Sequence, residues 1–231
     1  MFLDFLDYKS SVLIIVDVQN DFCPAYTSAA GKSRPDGALA VAGGGDVCAP
    51  LNAAALHFIA RGGMVIATQD WHPKNHASFA SAYPDKRVGD VIDLGPVKRQ
   101  ILWPDHCIQG SQGACFHDCL NLEPVRLIIR KGTNPALDSY SAFFENDRQT
   151  TTGLDGYLQS CSISTVFLGG LAADYCVLYS AMDALRLHYR TYVFTDATRG
   201  VDFPKGSVEQ AYNAMELEGV SLIKTADILQ D

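Results

Sequence analysis

The sequence predicts an α/β fold: a doubly wound, six-stranded parallel sheet with helices on both faces. Three observations predict it. Six short apolar runs rich in β-branched residues recur, SVLIIV, GMVIAT, VRLIIR, STVFLG, TYVFT and VSLIK, each too short for a helix and flanked by glycine or polar residues. Continuous apolar runs of this length suit strands buried on both faces of a parallel sheet. Helical patterns lie between most of them, and strands alternating with helices imply crossover units. Size is the third: at 231 residues and 48% hydrophobic, the chain can bury a sizeable core and is expected to form one domain over 1–231.

Taken in order, the first strand is SVLIIV, which runs into Asp17. Residues 23–45, rich in Gly, Ala, Ser and Pro, then interrupt the alternation. A helix is expected over Ala49–Ala60, capped by Asp46, before the strand GMVIAT leads to Asp70. Residues 71–124, with Trp71, Trp103 and several histidines, form a second interruption. Long segments without regular structure inside a compact domain are commonly functional or disordered. VRLIIR then leads to Lys131, and a helix over Leu154–Gln159 precedes the strand STVFLG. A helical pattern over Tyr175–Tyr189, the strand TYVFT, a helix over Lys205–Glu218 and the strand VSLIK complete the chain. No internal repeat and no domain linker interrupts it.

Charge and cysteine content exclude several classes of function. With 18 Lys and Arg against 26 Asp and Glu, the net charge is −8, and the basic stripe that displaces counterions from nucleic acid is missing. The N-terminal MFLDFLDYKS is interrupted by Asp4 and Asp7 and makes a poor signal peptide. No apolar run is long enough to cross a membrane. Seven cysteines, an odd count, fit free thiols in a reducing compartment better than a disulfide framework. The expectation is a cytoplasmic protein with neither nucleic-acid nor membrane partners.

Ligands of open α/β sheets bind outside the carboxyl ends of the strands. Asp17, Asp70 and Lys131 each follow a strand, and Cys176 in GGLAADYCVLYSAMDAL sits where a strand gives way to a helix. Four side chains are therefore expected to converge on one crevice. At the first turn of a helix, free amides and the helix dipole favour a thiolate and draw its pKa toward neutrality. A nearby carboxylate able to take the thiol proton makes cysteine a competent nucleophile, and a lysine holds that carboxylate anionic and oriented. Each residue also has a plain alternative: a packed thiol for Cys176, a turn carboxylate for Asp17, a solvated charge for Lys131.

A second constellation lies in DWHPKNH and WPDHC. Asp70 and His72 alternate by two and point to one side of an extended segment, and His106 would close a two-His, one-carboxylate metal site with open positions for water or substrate. His76 is a further candidate for metal or substrate. A competing zinc set, Cys107, Cys115, His117 and Cys119, lacks the paired CxxC spacing of structural zinc sites. Histidines in loops are also often just polar residues at the surface.

Together, IIVDVQNDFCP, GALAV, ATQDWHPKNHASFA, LWPDHCIQG, KGTNPALDSYSAFFEN, GLAADYCV and DATRGV resemble the nicotinamidases, also called pyrazinamidases, of the isochorismatase-like cysteine hydrolases. The segments stand in that family's order and cover most of the chain. The resemblance implies a six-stranded parallel sheet and hydrolysis of nicotinamide to nicotinate and ammonia through a cysteine thioester. It implies Cys176 as nucleophile, Asp17 as general base and acid, and Lys131 as the third member of a triad. It further implies backbone amides of Ala172 and Cys176 as an oxyanion hole, a cis peptide before Ala172, and Phe22, Trp103 and Tyr140 around the aromatic amide. Asp70, His72 and His106 match the ligands of one divalent metal ion, zinc or iron.

Two features depart from the pattern. Ala173 stands where the family often has threonine, and Ala25–Asp36 looks inserted. The composition of that insertion suits a mobile segment, expected to be a partial lid or a contact in a homo-oligomer, with no catalytic side chain. Two other functions remain open on sequence: hydrolysis of another amide or of an isochorismate-type vinyl ether by the same triad, and a non-catalytic scaffold with a buried Cys176.

Overall fold

The computed structural model describes residues 6–95 and 97–229. Of the N-terminal stretch considered above, residues 1–5 with Asp4 lie outside them, while Asp7 accepts the Lys9 amide at 3.1 Å. In chain order the strands and helices are β1 (Ser11–Val16), β2 (Tyr26–Thr27), β3 (Ser33–Arg34), α1 (Cys48–Ala60), β4 (Met64–Asp70), β5 (Val91–Leu94), β6 (Val97–Ile101) and β7 (Leu127–Lys131). There follow α2 (Leu154–Ser160), β8 (Thr165–Leu171), α3 (Leu178–Arg186), β9 (Arg190–Arg199), α4 (Ser207–Glu218), β10 (Ser221–Ile223) and α5 (Ala226–Leu229).

The six apolar runs form one sheet in the order β10-β9-β8-β1-β4-β7, every neighbouring pair parallel. Successive side chains of a strand point to opposite faces, and β1 shows the result. Leu13 and Ile15 pack with Leu51, Ala54 and Phe58 of α1 and Ile228 of α5. Val12, Ile14 and Val16 pack with Leu154 and Leu158 of α2, Ala181 and Ala184 of α3 and Met215 of α4. Helices therefore cover both faces, as the alternation of elements predicts.

Several details differ from the expectation. Asp46 does not cap α1; it lies within a tight turn over Gly44–Val47, and α1 starts without a side-chain cap. β7 is not buried on both faces, because it is a sheet edge, and Ile128 is 42% exposed there. The two interrupting segments are not structureless: β2 and β3 pair antiparallel within the first, and β5 and β6 within the second. Among the described residues no helix is long and apolar enough to cross a membrane, and all seven cysteines are free thiols.

The strand ends that carry the site are held by close backbone contact. Gly170 pairs with Val16 at φ 127°, where a Cβ would stand 2.1 Å from the Val16 carbonyl oxygen, so only glycine fits. The Leu171–Ala172 peptide is cis. The chain then makes a wide turn over Ala173–Val177, closed by the Val177 amide on the Ala172 carbonyl at 3.0 Å, and continues as α3.

Candidate active site

Parallel pairing sets Asp70 and Lys131 side by side at the carboxyl ends of β4 and β7. On the other side, β1 ends and Asp17 turns the chain at φ 46°, a left-handed conformation that aspartate tolerates better than most residues. Beyond this point the ladder is continued by a side chain. Gln19 Oε1 accepts the Asp70 amide at 2.8 Å, and its Nε2 donates to the Asp70 carbonyl at 2.8 Å and the Ala114 carbonyl at 3.0 Å. The side-chain amide thus fixes the backbone of Asp70 relative to the segment that carries Asp17.

Asp17, Lys131 and Cys176 meet beneath the crevice. Asp17 and Lys131 are fully buried and Cys176 is 6% exposed. The Lys131 ammonium donates to Asp70 Oδ1, to the Ser139 carbonyl at 2.9 Å and to Cys176 Sγ at 3.4 Å, and lies 2.8 Å from Asp17 Oδ2. Thr68 donates its hydroxyl to Asp17 Oδ1 at 2.7 Å. Asp17 Oδ2 makes no aligned hydrogen bond, so its contact with the ammonium is an ion pair. Oxygens of Asp17 and Asp70 and the sulfur of Cys176 all lie within 4.8 Å of one another.

Burial dominates the proton affinities here. It raises Asp17 above the usual carboxylate range, with Lys131 opposing and Asp70 reinforcing the shift. It likewise raises the Cys176 thiol well above its ordinary value, although Lys131 pulls the other way. Burial first, and then the Asp17 and Asp70 charges, favour the thiol form here, opposite in direction to the lowered pKa expected of a helix terminus. Burial would lower Lys131, but Asp17 and Asp70 together drive it well above its normal value, so the ammonium persists.

Beside this group, Asp70, His72 and His106 present ligand atoms within 4.8 Å of one another. His72 Nδ1 is 2.9 Å from the Gly132 carbonyl and His106 Nδ1 is 2.8 Å from the Pro104 carbonyl. A carbonyl only accepts, so each Nδ1 carries the proton and each Nε2 is turned toward Asp70 Oδ2, at 3.6 and 3.9 Å. Carbonyls that fix the tautomer of a ligating histidine in this way are the usual outer support of a metal site. Gly132, at φ 63°, lets its backbone approach so closely because a Cβ would lie 2.3 Å from the His72 ring. The donor set fits a divalent cation with open positions.

The His76 ring is tilted 40° to that of His72, with centroids 4.3 Å apart, and these two with Asp138 also bring ligand atoms within 4.8 Å of one another. His76 Nδ1 accepts the Ser78 amide at 3.3 Å and its Nε2 lies 3.2 Å from the Leu137 carbonyl, so both nitrogens are engaged. The alternative zinc set does not assemble: His117 Nδ1 faces Cys48 Sγ at 3.5 Å, Cys107 is buried, and Cys115 and Cys119 are exposed. Among the described residues these four do not form a group with converging ligand atoms.

Above the sulfur opens a small, partly enclosed pocket. Phe22, Trp103 and Tyr140 line it, together with Asp70, His106, Ala172 and Cys176. Trp103 donates its indole N–H to the Tyr140 hydroxyl at 3.0 Å. His72, Asp17 and Lys131 are set behind this wall. Sequence reasoning missed four lining residues, Leu39, Asp138, Tyr175 and Val201, and the supporting groups Thr68, Gln19 and Ser139. Thr68 had a signal, since it shares a face of β4 with Asp70 by alternation. Ser139 had none, because it acts through its backbone carbonyl. The insertion forms the β2–β3 hairpin, tied down by Arg34 on Asp118, and contributes no lining residue.

The isochorismatase domain model matches residues 11–227. The chain is 43% identical over 221 residues to the nicotinamidase of Acinetobacter baylyi, covering 96% of this chain and 95% of that protein. Its fold is similar to PnC1 from L. infantum in complex with nicotinate, with a TM-score of 0.77 at 34% identity over 96% of each chain. It is also similar to the pyrazinamidase of Pyrococcus horikoshii in complex with zinc, with a TM-score of 0.72 at 30% identity, over 93% of this chain and 99% of that one.

Proposed function

The chain belongs to the isochorismatase family, and on that premise we propose that it is a nicotinamidase, hydrolysing nicotinamide to nicotinate and ammonia through a thioester on Cys176. The observation that carries the reading is the placement of Cys176 Sγ at an aromatic-walled cavity, with the Asp17 carboxylate and Lys131 ammonium buried beneath it. Pyrazinamide, a close structural analogue, suits the same cavity.

Asp17, made more basic by burial, takes the Cys176 proton as the sulfur attacks the carboxamide carbon. The thiolate charge develops beside Lys131, whose ammonium stabilises it. The oxyanion falls to the backbone amides of Ala172 and Cys176; a preorganised donor of this kind contributes about 3 to 4 kcal/mol. Asp17 returns its proton to the departing nitrogen, and ammonia leaves a thioester on Cys176. Asp17 then deprotonates water, the oxygen cleaves the thioester and releases nicotinate, and the departing Cys176 sulfur takes the proton back from Asp17. Trp103, Tyr140 and Phe22 hold the ring so that its amide meets the sulfur; positioning can lower a barrier by up to about 7 to 11 kcal/mol.

Asp70, His72 and His106 would hold one divalent ion, zinc by analogy with the P. horikoshii complex, supplying a Lewis-acidic anchor for the ring nitrogen. Seven free thiols suit a reducing compartment, the cytoplasm. The test is ammonia release from nicotinamide by the purified protein and by Cys176→Ala. The reading expects release by the first and none by the second, and equal release by both would overturn it.

A further inference from the structure

The turn that carries Cys176 is stitched to a distant loop. Asp174, 6% exposed, accepts the Val201 amide on Oδ1 at 2.9 Å, and on Oδ2 the Asp202 amide at 2.9 Å and the Ser207 hydroxyl at 2.6 Å. The neighbouring Tyr175 donates its hydroxyl to the Phe203 carbonyl. Three of the four partners lie in the connection between β9 and α4, which is exposed from Asp202 to Lys205, and the fourth, Ser207, is the first residue of α4. The Val201 and Asp202 amides lie beyond the end of β9, so a buried carboxylate does for them what a strand partner would do. Gly200 allows the close approach, since a Cβ there would stand 2.2 Å from Val208 Cγ2 and 3.0 Å from Asp174 Oδ1.

What this loop contributes to the cavity is Val201. We infer that Asp174 is a positioning residue that fixes Val201 as a wall of the substrate cavity, and so sets how tightly an aromatic amide is gripped and how large its ring can be. Three hydrogen bonds reach the Asp174 carboxyl group, two from a loop that is otherwise largely solvated and one from the start of α4. The cavity wall is therefore as rigid as this clasp. The inference rests on the reading of the cavity as an aromatic-amide site.

Asp174→Asn keeps the shape but turns an NH₂ toward groups that are themselves donors. Hydrogen exchange at the Val201 and Asp202 amides is expected to quicken at least ~10-fold, and KM for nicotinamide to rise ~10-fold with kcat within about threefold, the pattern of lost binding rather than lost chemistry. Val201→Ala is expected to raise KM and widen tolerance for ring-substituted nicotinamides. Because Asp174 acts through Val201, the double variant should show the KM of the worse single variant. Additive effects, or a fall in kcat at unchanged KM, would overturn the inference. Should Asp174→Asn fail to fold, Ser207→Ala removes one bond from the loop side; it is expected to raise KM and quicken exchange at Asp202, and no change in either overturns the clasp. A wild-type protein inactive on nicotinamide would instead refute the proposed function, while the exchange measurement still tests the clasp.

Discussion

Replacing Glu145 with glutamine is expected to stabilise the protein, and to do so far more at neutral to alkaline pH than in acid. Glu145 is 8% exposed, and its Oε2 is buried with no hydrogen-bond partner. Burial raises its carboxyl from 4.5 to about 7, against smaller lowering effects of a hydrogen bond to Ser139 and the charge of Lys131. Between those two values the folded protein keeps a proton that the unfolded chain has released. Stability from this group is therefore complete below about pH 4.5, falls as pH rises, and is lost above about pH 7. A shift of that size corresponds to about 3 kcal/mol, which the residue's remaining access to water reduces to about 2 kcal/mol. Glutamine is neutral throughout and leaves the same atom without a partner, so it matches the protonated acid. Glu145→Gln should thus gain roughly 0.5 kcal/mol near pH 4.5 and about 2 kcal/mol near pH 8, read in urea as a midpoint increase of about 0.5–1 M at the higher pH. The same gain at both pH values would refute the reasoning, because it would mean that the charge of Glu145 is not what the fold resists.

Asp17→Asn preserves the shape of the base but not its function; turnover should fall by roughly 10²–10⁴-fold, and adding Cys176→Ala should cost no more than Cys176→Ala alone, since residues that act as one unit are non-additive. Gln19→Glu retains an acceptor for the Asp70 amide but cannot donate to the Asp70 and Ala114 carbonyls; zinc affinity, measured by competition with a chromophoric chelator, should weaken ~10–100-fold, and unchanged affinity would refute the role of the amide. Deleting Ala25–Asp36 should alter substrate affinity or assembly while turnover remains measurable, and complete loss of ammonia release in a folded deletion variant would show that the hairpin serves the chemistry directly.

Much of the architecture was legible because its code is local. SVLIIV reads as a strand from six successive apolar or small residues, and the structure begins and ends β1 at the same two residues. TYVFT gave the first half of β9 but not its reach to Arg199, since its last residues are held by pairing with Gly170 and Leu171 of β8 rather than by their own pattern. The position of Cys176 after a glycine pair, and of Asp17, Asp70 and Lys131 at strand ends, was likewise visible in short segments. The Asp46 cap failed because capping depends on backbone angles that the local pattern does not specify.

What only the tertiary structure decided is how distant groups bear on one another. That a single lysine meets two carboxylates, a thiol and a carbonyl follows from four strands, β8, β1, β4 and β7, lying side by side. That burial pushes the Cys176 thiol up depends on everything packed around it. Val201 becomes a cavity wall because Asp174, 27 residues earlier in the chain, binds its amide. Strand and helix are written in the periodicity of neighbouring side chains; desolvation, charge coupling and the partners of backbone amides depend on residues that only the fold makes neighbours.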